Sequence, residues 1–287
     1  MSDSPWSQAA AIDTLRVAVY IRRTMFSFAT AIGGFFLMTF VSAGRGTILL
    51  RDILAQLPHS WRMRREILAQ MHVVAIGSLP LVLTTSIFVG AVTAVQAVYQ
   101  MQSYVPMKFL GTVISKSVFI ELGPVLTALV VGGRLCANYA AELGTMKVTE
   151  QLDAMEMVAV DPVRYLALPR FLAGVFMLPV ATVFADGVAI FSGYFISVLT
   201  LDVTSSTFIE GLRMFFKTSD LLSGLIKTFV FGGIIAMAGI YHGLNTRGGA
   251  EGVGRATMTA VVASCLSILI ADYVLAVALF QVIFDQG

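Results

Sequence analysis

Among the charged residues inside long apolar runs, Glu121, Asp186, Lys227 and Asp272 stand out. A charge at the centre of a hydrocarbon layer costs roughly 2.5–3.5 kcal/mol on insertion scales, so such a residue faces a partner, a cavity or a wet interface. Glu121 comes just before Gly123-Pro124, where a helix can open locally. It reads as a carboxylate facing a cavity. Lys227 lies about one turn into its run, with a stem long enough to carry the ammonium toward the interface. Asp186 and Asp272 read as structural, paired between helices or close enough to an interface to stay wet. Other chemistry is missing from the pattern. His59, His72 and His242 form no ligand-spaced cluster, and Cys136 and Cys265 are far apart, so no metal site is expected. There is no Gly-x-Ser-x-Gly elbow and no Gly-x-x-x-x-Gly-Lys-Ser/Thr phosphate loop. The chain is expected to have no catalytic residues and to bind no cofactor of its own.

The elements that must hold these charges follow from composition and run length. Of 287 residues, 57% are hydrophobic and 13% charged, against about 25% charged in a soluble domain. Nineteen Lys+Arg and seventeen Asp+Glu leave a net charge of +2, which excludes a nucleic-acid binder driven by a basic field. Apolar runs cover Val73–Tyr99, Leu110–Ala137, Phe171–Leu201, Leu221–Leu244 and Ala256–Phe284. About 20 helical residues cross a hydrocarbon core, and none of the runs alternates as a barrel strand does. The fold class is an all-α integral membrane protein with five transmembrane helices. A sixth run, Met25–Ala43, holds Ser27, Thr30, Gly33, Gly34 and Thr39 between basic flanks. It reads as an N-terminal interfacial or re-entrant helix. A signal peptide is disfavoured because some twenty residues precede the pair Arg22-Arg23. Residues 1–66 are expected to form this N-terminal segment and residues 67–287 the transmembrane domain. Lys and Arg concentrate before the first run, between the second and third, and between the fourth and fifth, which puts the N-terminus in the cytoplasm. No internal repeat is visible, and five spans cannot split into equal inverted halves.

Two polar stretches admit more than one reading. Residues 142–160 pattern as a short amphipathic helix. Val148, Leu152, Met155 and Ala159 share one face, and Thr149, Glu150, Asp153 and Glu156 the other. Asp161-Pro162 ends it, because a residue before proline avoids the α region. It is either a solvated loop helix or a docking element for a soluble partner. At the end of the first run, Gln96, Tyr99, Gln100 and Tyr104 are either an aromatic interface belt or the lining of a cavity.

Several motifs occur together. Glu121-Leu122-Gly123-Pro124-Val125-Leu126-Thr127-Ala128-Leu129 is followed by Gly133-Arg134. Then come Ala141-Glu142-Leu143-Gly144-Thr145-Met146-Lys147-Val148-Thr149-Glu150-Gln151-Leu152-Asp153-Ala154, Val160-Asp161-Pro162 and Gly252-Val253-Gly254-Arg255-Ala256-Thr257. In this order they resemble the MlaE/YrbE family of ABC-transporter permease subunits, over roughly residues 73–284. The resemblance implies a homodimeric permease in the bacterial inner membrane. Its implied partners are a cytoplasmic ATPase dimer, which holds the ATP and Mg, and periplasmic MCE-domain proteins. The cargo is a lipid, with phospholipid first in line. It implies that the helix at 142–160 is the coupling helix, with Glu142, Lys147, Thr149, Glu150, Asp153 and Glu156 meeting the ATPase. It places Gln96, Tyr99, Tyr104, Glu121 and Lys227 along the lipid pathway. Many members carry Arg immediately before the Glu, where this chain has Ile120, so Lys227 becomes the counter-ion expected for Glu121. The rival expectation is a proton-coupled secondary transporter or channel using Glu121, Asp186 and Asp272. An integral-membrane lipid enzyme is disfavoured by the missing nucleophile and base.

Overall fold

The computed structural model describes residues 44–101, 105–200 and 203–284. The chain divides into two compact units, residues 1–51 and 52–287. In the first, residues 44–51 are helical, while the run Met25–Ala43 lies outside the described residues. Residues 52–66, assigned from sequence to the N-terminal segment, belong to the second unit.

Among the described residues the second unit is entirely helical. A 3-10 turn (Leu57–Met63) leads into α1 (Arg64–Met101). After a second 3-10 turn (Met107–Phe109) come α2 (Leu110–Ser117), a π-helical turn (Val118–Leu122) and α3 (Gly123–Val148). The short α4 (Gln151–Met157) precedes α5 (Leu168–Thr200), α6 (Ser205–Met214), α7 (Thr218–Leu244) and α8 (Gly249–Phe284). Five helical stretches are long and apolar enough to cross a membrane: Leu57–Met101, Met107–Val148, Val163–Thr200, Thr218–Leu244 and Gly249–Gln281.

Lipid tails are as apolar as leucine, so these helices do not associate by leaving water. Small residues must let backbones approach and gain contact energy instead. α1 shows this directly. Val74, Ser78, Val82, Ser86, Gly90, Ala94 and Val98 recur every fourth residue and are all buried, forming one stripe against α5. A Cβ on Gly90 would collide with the carbonyl of Ala189, so the two helices touch backbone to backbone there. Ser192 Oγ crosses the same interface to donate to the Ile87 carbonyl at 2.7 Å. α7 approaches α5 in the same way, at Gly232 against Gly174. α8 offers a narrow inner stripe, Ala260, Ser264 and Ile268, each fully buried.

The second span is a helix in three registers. Pro124 has no amide hydrogen, and its ring would strike the carbonyl of Ile120 in a regular α-helix. The chain widens into the π turn just before it, and the Gly123 N–H bonds to the Val118 carbonyl five residues back. α2 and α6 lie together beyond this turn. Phe208 of α6 is buried in one cluster with Leu110, Ile114 and Val118, and the Thr112 hydroxyl donates to the Gly211 carbonyl.

The acidic segment after the second span differs from the single helix expected over 142–160. α3 runs on to Val148, the chain breaks at Thr149-Glu150, and α4 is only 7 residues long. Glu150 takes a left-handed conformation (φ 60°), as does Ala159 (φ 59°). The break has local causes that a face-periodicity argument does not weigh. The Thr149 hydroxyl and N–H both bond back to the Thr145 carbonyl, at 2.8 and 3.0 Å. Lys147 reaches across the bend to Asp153 at 2.8 Å. Asp161 starts the next span as well as closing this segment. Its carboxylate accepts the Val163 N–H at 2.9 Å, an N-terminal cap with Pro162 in the first-turn position that proline favours.

Candidate functional site: a charged centre beside a helical bulge

Lys227 of α7 is one of the largest fully buried side chains of the molecule, with 1% of its surface exposed. Its ammonium has three donors and three acceptors: Glu121 Oε1 at 2.7 Å, Asp272 Oδ1 at 3.0 Å and the Ile120 carbonyl at 3.3 Å. The third acceptor exists because of Pro124, four residues on, which cannot supply the amide that would otherwise occupy the Ile120 carbonyl. The Gly-Pro pair therefore does two things. It turns Glu121 toward α7, and it frees a carbonyl at the level of the ammonium.

The centre is asymmetric. Lys227 is sealed, while the side chains of Glu121 and Asp272 retain 41% and 20% exposure. Two carboxylates share one ammonium, leaving a formal charge of −1 whose open side is Glu121. The stem of Lys227 is spent on reaching this pair, so the lysine does not run out to the interface as its position in the sequence allows. Asp272, read as structural, joins the centre. Its signal was in the sequence: the inner stripe of α8 steps by four from Ala260 through Ser264 and Ile268, and the next step is Asp272. A third acid lies against the end of the π turn. Asp186 is 2% exposed, its Oδ1 has no hydrogen-bond partner, and a Cβ on Gly123 would collide with that oxygen. Glycine at 123 is what allows the carboxyl to sit against the helix backbone.

The remaining expected site residues fall into two groups. Gln96 and Tyr99 lie on the face of α1 opposite its contact with α5, and Tyr99 is 81% exposed. No bond joins them to the charged centre. Tyr104 lies outside the described residues. At the α4 end, Glu142 is tied inward by an ion pair at 2.7 Å to Arg170 of α5. Arg170 is itself buried, bonds to the Leu166 carbonyl at 2.9 Å and receives the Tyr139 hydroxyl on its own carbonyl at 3.3 Å. Lys147 and Asp153 hold each other. Glu150 and Glu156 face outward, as does Thr149. The sequence reading passed over Met157 and Val158, which are 89% and 71% exposed. They form an apolar tip beside the acidic face.

Among the described residues the architecture is that of a multi-span helical subunit with a charged centre between its helices and an exposed segment between the second and third spans. The family model described as Permease MlaE matches residues 67–278, and the chain belongs to that family of ABC-transporter permeases. A probable ABC transporter permease protein of Rickettsia typhi is 35% identical over 268 residues, which is 93% of this chain and 99% of that protein. A probable ABC transporter permease protein of Synechocystis is 42% identical over 218 residues, 76% of this chain and 83% of its own. The intermembrane phospholipid transport system permease protein MlaE of Haemophilus influenzae is 32% identical over 255 residues, 88% and 98% of the two chains. The chain is therefore a multi-pass, non-catalytic ABC permease subunit that works with an ATPase.

Proposed function

We propose that this chain is the permease of an ATP-driven phospholipid transporter of a bacterial inner membrane. It acts as a homodimer with its N-terminus in the cytoplasm, on a cytoplasmic ATPase dimer that holds ATP and Mg, and passes lipid to or from periplasmic MCE-domain proteins. Membership of the MlaE permease family supports the reading, together with the name of the Haemophilus relative. The observation that carries it is the half-open Glu121 carboxylate on a sealed ammonium inside the bilayer. Such a centre gives a lipid head group a polar foothold between two apolar layers. Lys227 has no donor left over, so the head group meets Glu121 and leaves the lysine to fix the carboxylate in place. Gln96 and Tyr99 extend the pathway along α1, and the family resemblance adds Tyr104 to it. At the other end, Glu150, Glu156, Met157 and Val158 form the face offered to the ATPase. Lys147, Thr149 and Asp153 shape the bend that presents it, and Glu142 anchors that bend to α5.

The test is ATP-driven transfer of labelled phospholipid by the reconstituted complex. Glu121→Gln keeps shape and one hydrogen bond to Lys227 but removes the charge, and is expected to assemble normally and slow transfer about tenfold or more. Full-rate transfer by an assembled Glu121→Gln complex removes the foothold from the mechanism. Transfer that persists with an ATPase unable to hydrolyse ATP, but stops with a proton uncoupler, replaces the ATP-driven reading with the proton-driven one.

A further inference from the structure

Arg134 of α3 is a cation with none of its five donors used among the described residues. It stands in a helix whose neighbouring charges along the sequence are Glu121 and Glu142. The side chain is exposed and forms no hydrogen bond or ion pair with them, while the buried cations Arg170 and Lys227 are both paired with carboxylates. Its guanidinium is seated over α1: a Cβ on Gly77 would lie 2.6 Å from Nη2, 2.7 Å from Nη1 and 2.9 Å from Cζ. Glycine at 77 thus makes room for a flat group against the helix backbone. The depth of this seat follows from the helix. The apolar run of α1 begins at Val73, and Gly77 is four residues, about 6 Å, further in. The whole run Val73–Tyr99 is 27 residues, about 40 Å, the thickness of a bilayer with its head groups, so a point about 6 Å in from its start stands where head groups meet hydrocarbon. One turn from Arg134 toward α4, on the same face, stands the exposed amide of Asn138.

We propose that Arg134, seated on Gly77 with Asn138 beside it, binds the phosphate of a phospholipid in the leaflet on the α4 side. The guanidinium fork matches two phosphate oxygens. A phosphodiester at this depth meets the cation without leaving its own layer, which favours a membrane lipid over free phosphate. The site is separate from the centre at Glu121. It lies 13 residues, about 20 Å, further along the second span and carries the opposite charge, so it holds an anionic group where Glu121 does not. The proposal rests on the lipid-permease reading and names where lipid of that leaflet is first held.

The experiment uses the full chain assembled with its ATPase in nanodiscs, without ATP. Phosphatidylglycerol bearing a photoactivatable head group is crosslinked and the labelled peptides mapped. Wild type is expected to label residues 73–81 and 130–138. Arg134→Gln should lower that labelling about tenfold and Arg134→Lys less, while labelling elsewhere is unchanged. Gly77→Ala, which keeps the charge and shifts its seat, gives an intermediate loss and serves if the Arg134 variants assemble poorly. A diacylglycerol carrying the same photoactivatable group but no phosphate should label the two segments weakly, and inorganic phosphate in large excess should not compete. Unlabelled wild-type segments, Arg134→Gln labelling at the wild-type level, or equal labelling by diacylglycerol would overturn the proposal. Competition by inorganic phosphate would assign the cation to free phosphate and overturn the lipid source. Labelled segments in a complex that transfers no lipid with ATP would sink the transport reading and leave this site standing. Transfer by a complex with unlabelled segments would do the reverse.

Discussion

At the scale of single residues, the molecule turns on Lys227. Removing one member of a buried ion pair leaves the remaining charge uncompensated and typically costs about 3–5 kcal/mol. Lys227→Met leaves two carboxylates facing each other and is expected to lower the thermal midpoint of the purified complex by the largest margin of any substitution in the centre. Combining it with Glu121→Gln and Asp272→Asn removes the stranded charges. The triple variant is expected to regain most of the lost stability, read as the unfolding midpoint in detergent, while still failing to transfer lipid. A triple variant as unstable as Lys227→Met would mean that packing around the lysine stem, rather than charge, holds these helices. Glu121 and Lys227 were legible as partners because each is costly alone in lipid and Ile120 stands where many family members carry the Arg that would otherwise pair with Glu121. Asp272 was legible only as the next step of the α8 stripe, since a sequence does not state which helix will stand beside α7. The stripe on α8 that brings it there consists of residues that carry no charge to draw attention.

At the scale of elements, the proposed function leans on the π turn and the α3–α4 bend. Pro124→Ala supplies the missing amide and removes the ring clash, so Val118–Leu122 is free to close into regular α-helix. Losing one residue of register turns the preceding side chains by about 100°, which swings Glu121 off Lys227. This variant is expected to assemble and to unfold close to wild type, the regained amide bond and relieved clash offsetting the lost ion pair, yet to slow lipid transfer, because Glu121 is no longer oriented. Transfer at the wild-type rate would show that the register of the turn is immaterial. At the bend, Met157→Asp with Val158→Asp should weaken capture of the ATPase by the affinity-tagged permease, since an apolar tip exposed to water gains by burial on a partner. Unchanged capture would leave docking to the acidic face alone. That an amphipathic segment follows the second span was visible in its pattern, and its limit in Asp161-Pro162. Its division into a long helix, a left-handed Glu150 and a 7-residue helix was not. Periodicity counts faces and is blind to a threonine that closes the preceding turn.

At the scale of the whole molecule, five spans put the ends of successive loops on opposite sides of the bilayer. A cysteine at Ser206, exposed on α6, is expected to react with an impermeant thiol reagent added from the periplasm, and one at Asn245, exposed after α7, only after the membrane is permeabilised. Cys136 is buried and Cys265 half-buried, and both would be replaced first. The reverse pattern would put the α4 end in the periplasm and remove the ATPase from its reach. The five spans were legible because run length and charge alone report them, whereas the neighbours of each span depend on where small residues let backbones meet. One of these spans connects the two working ends directly. α3 is 26 residues without a break, a rod about 38 Å long from the π turn to the bend. Tilting such a rod by about 5° around one end moves the other by about 3 Å, which is the length of the hydrogen bond between Glu121 and Lys227. A docking partner that leans on the bend therefore has a lever on the charged centre, with the mechanical advantage set by helix length and nothing softer than a helix in between.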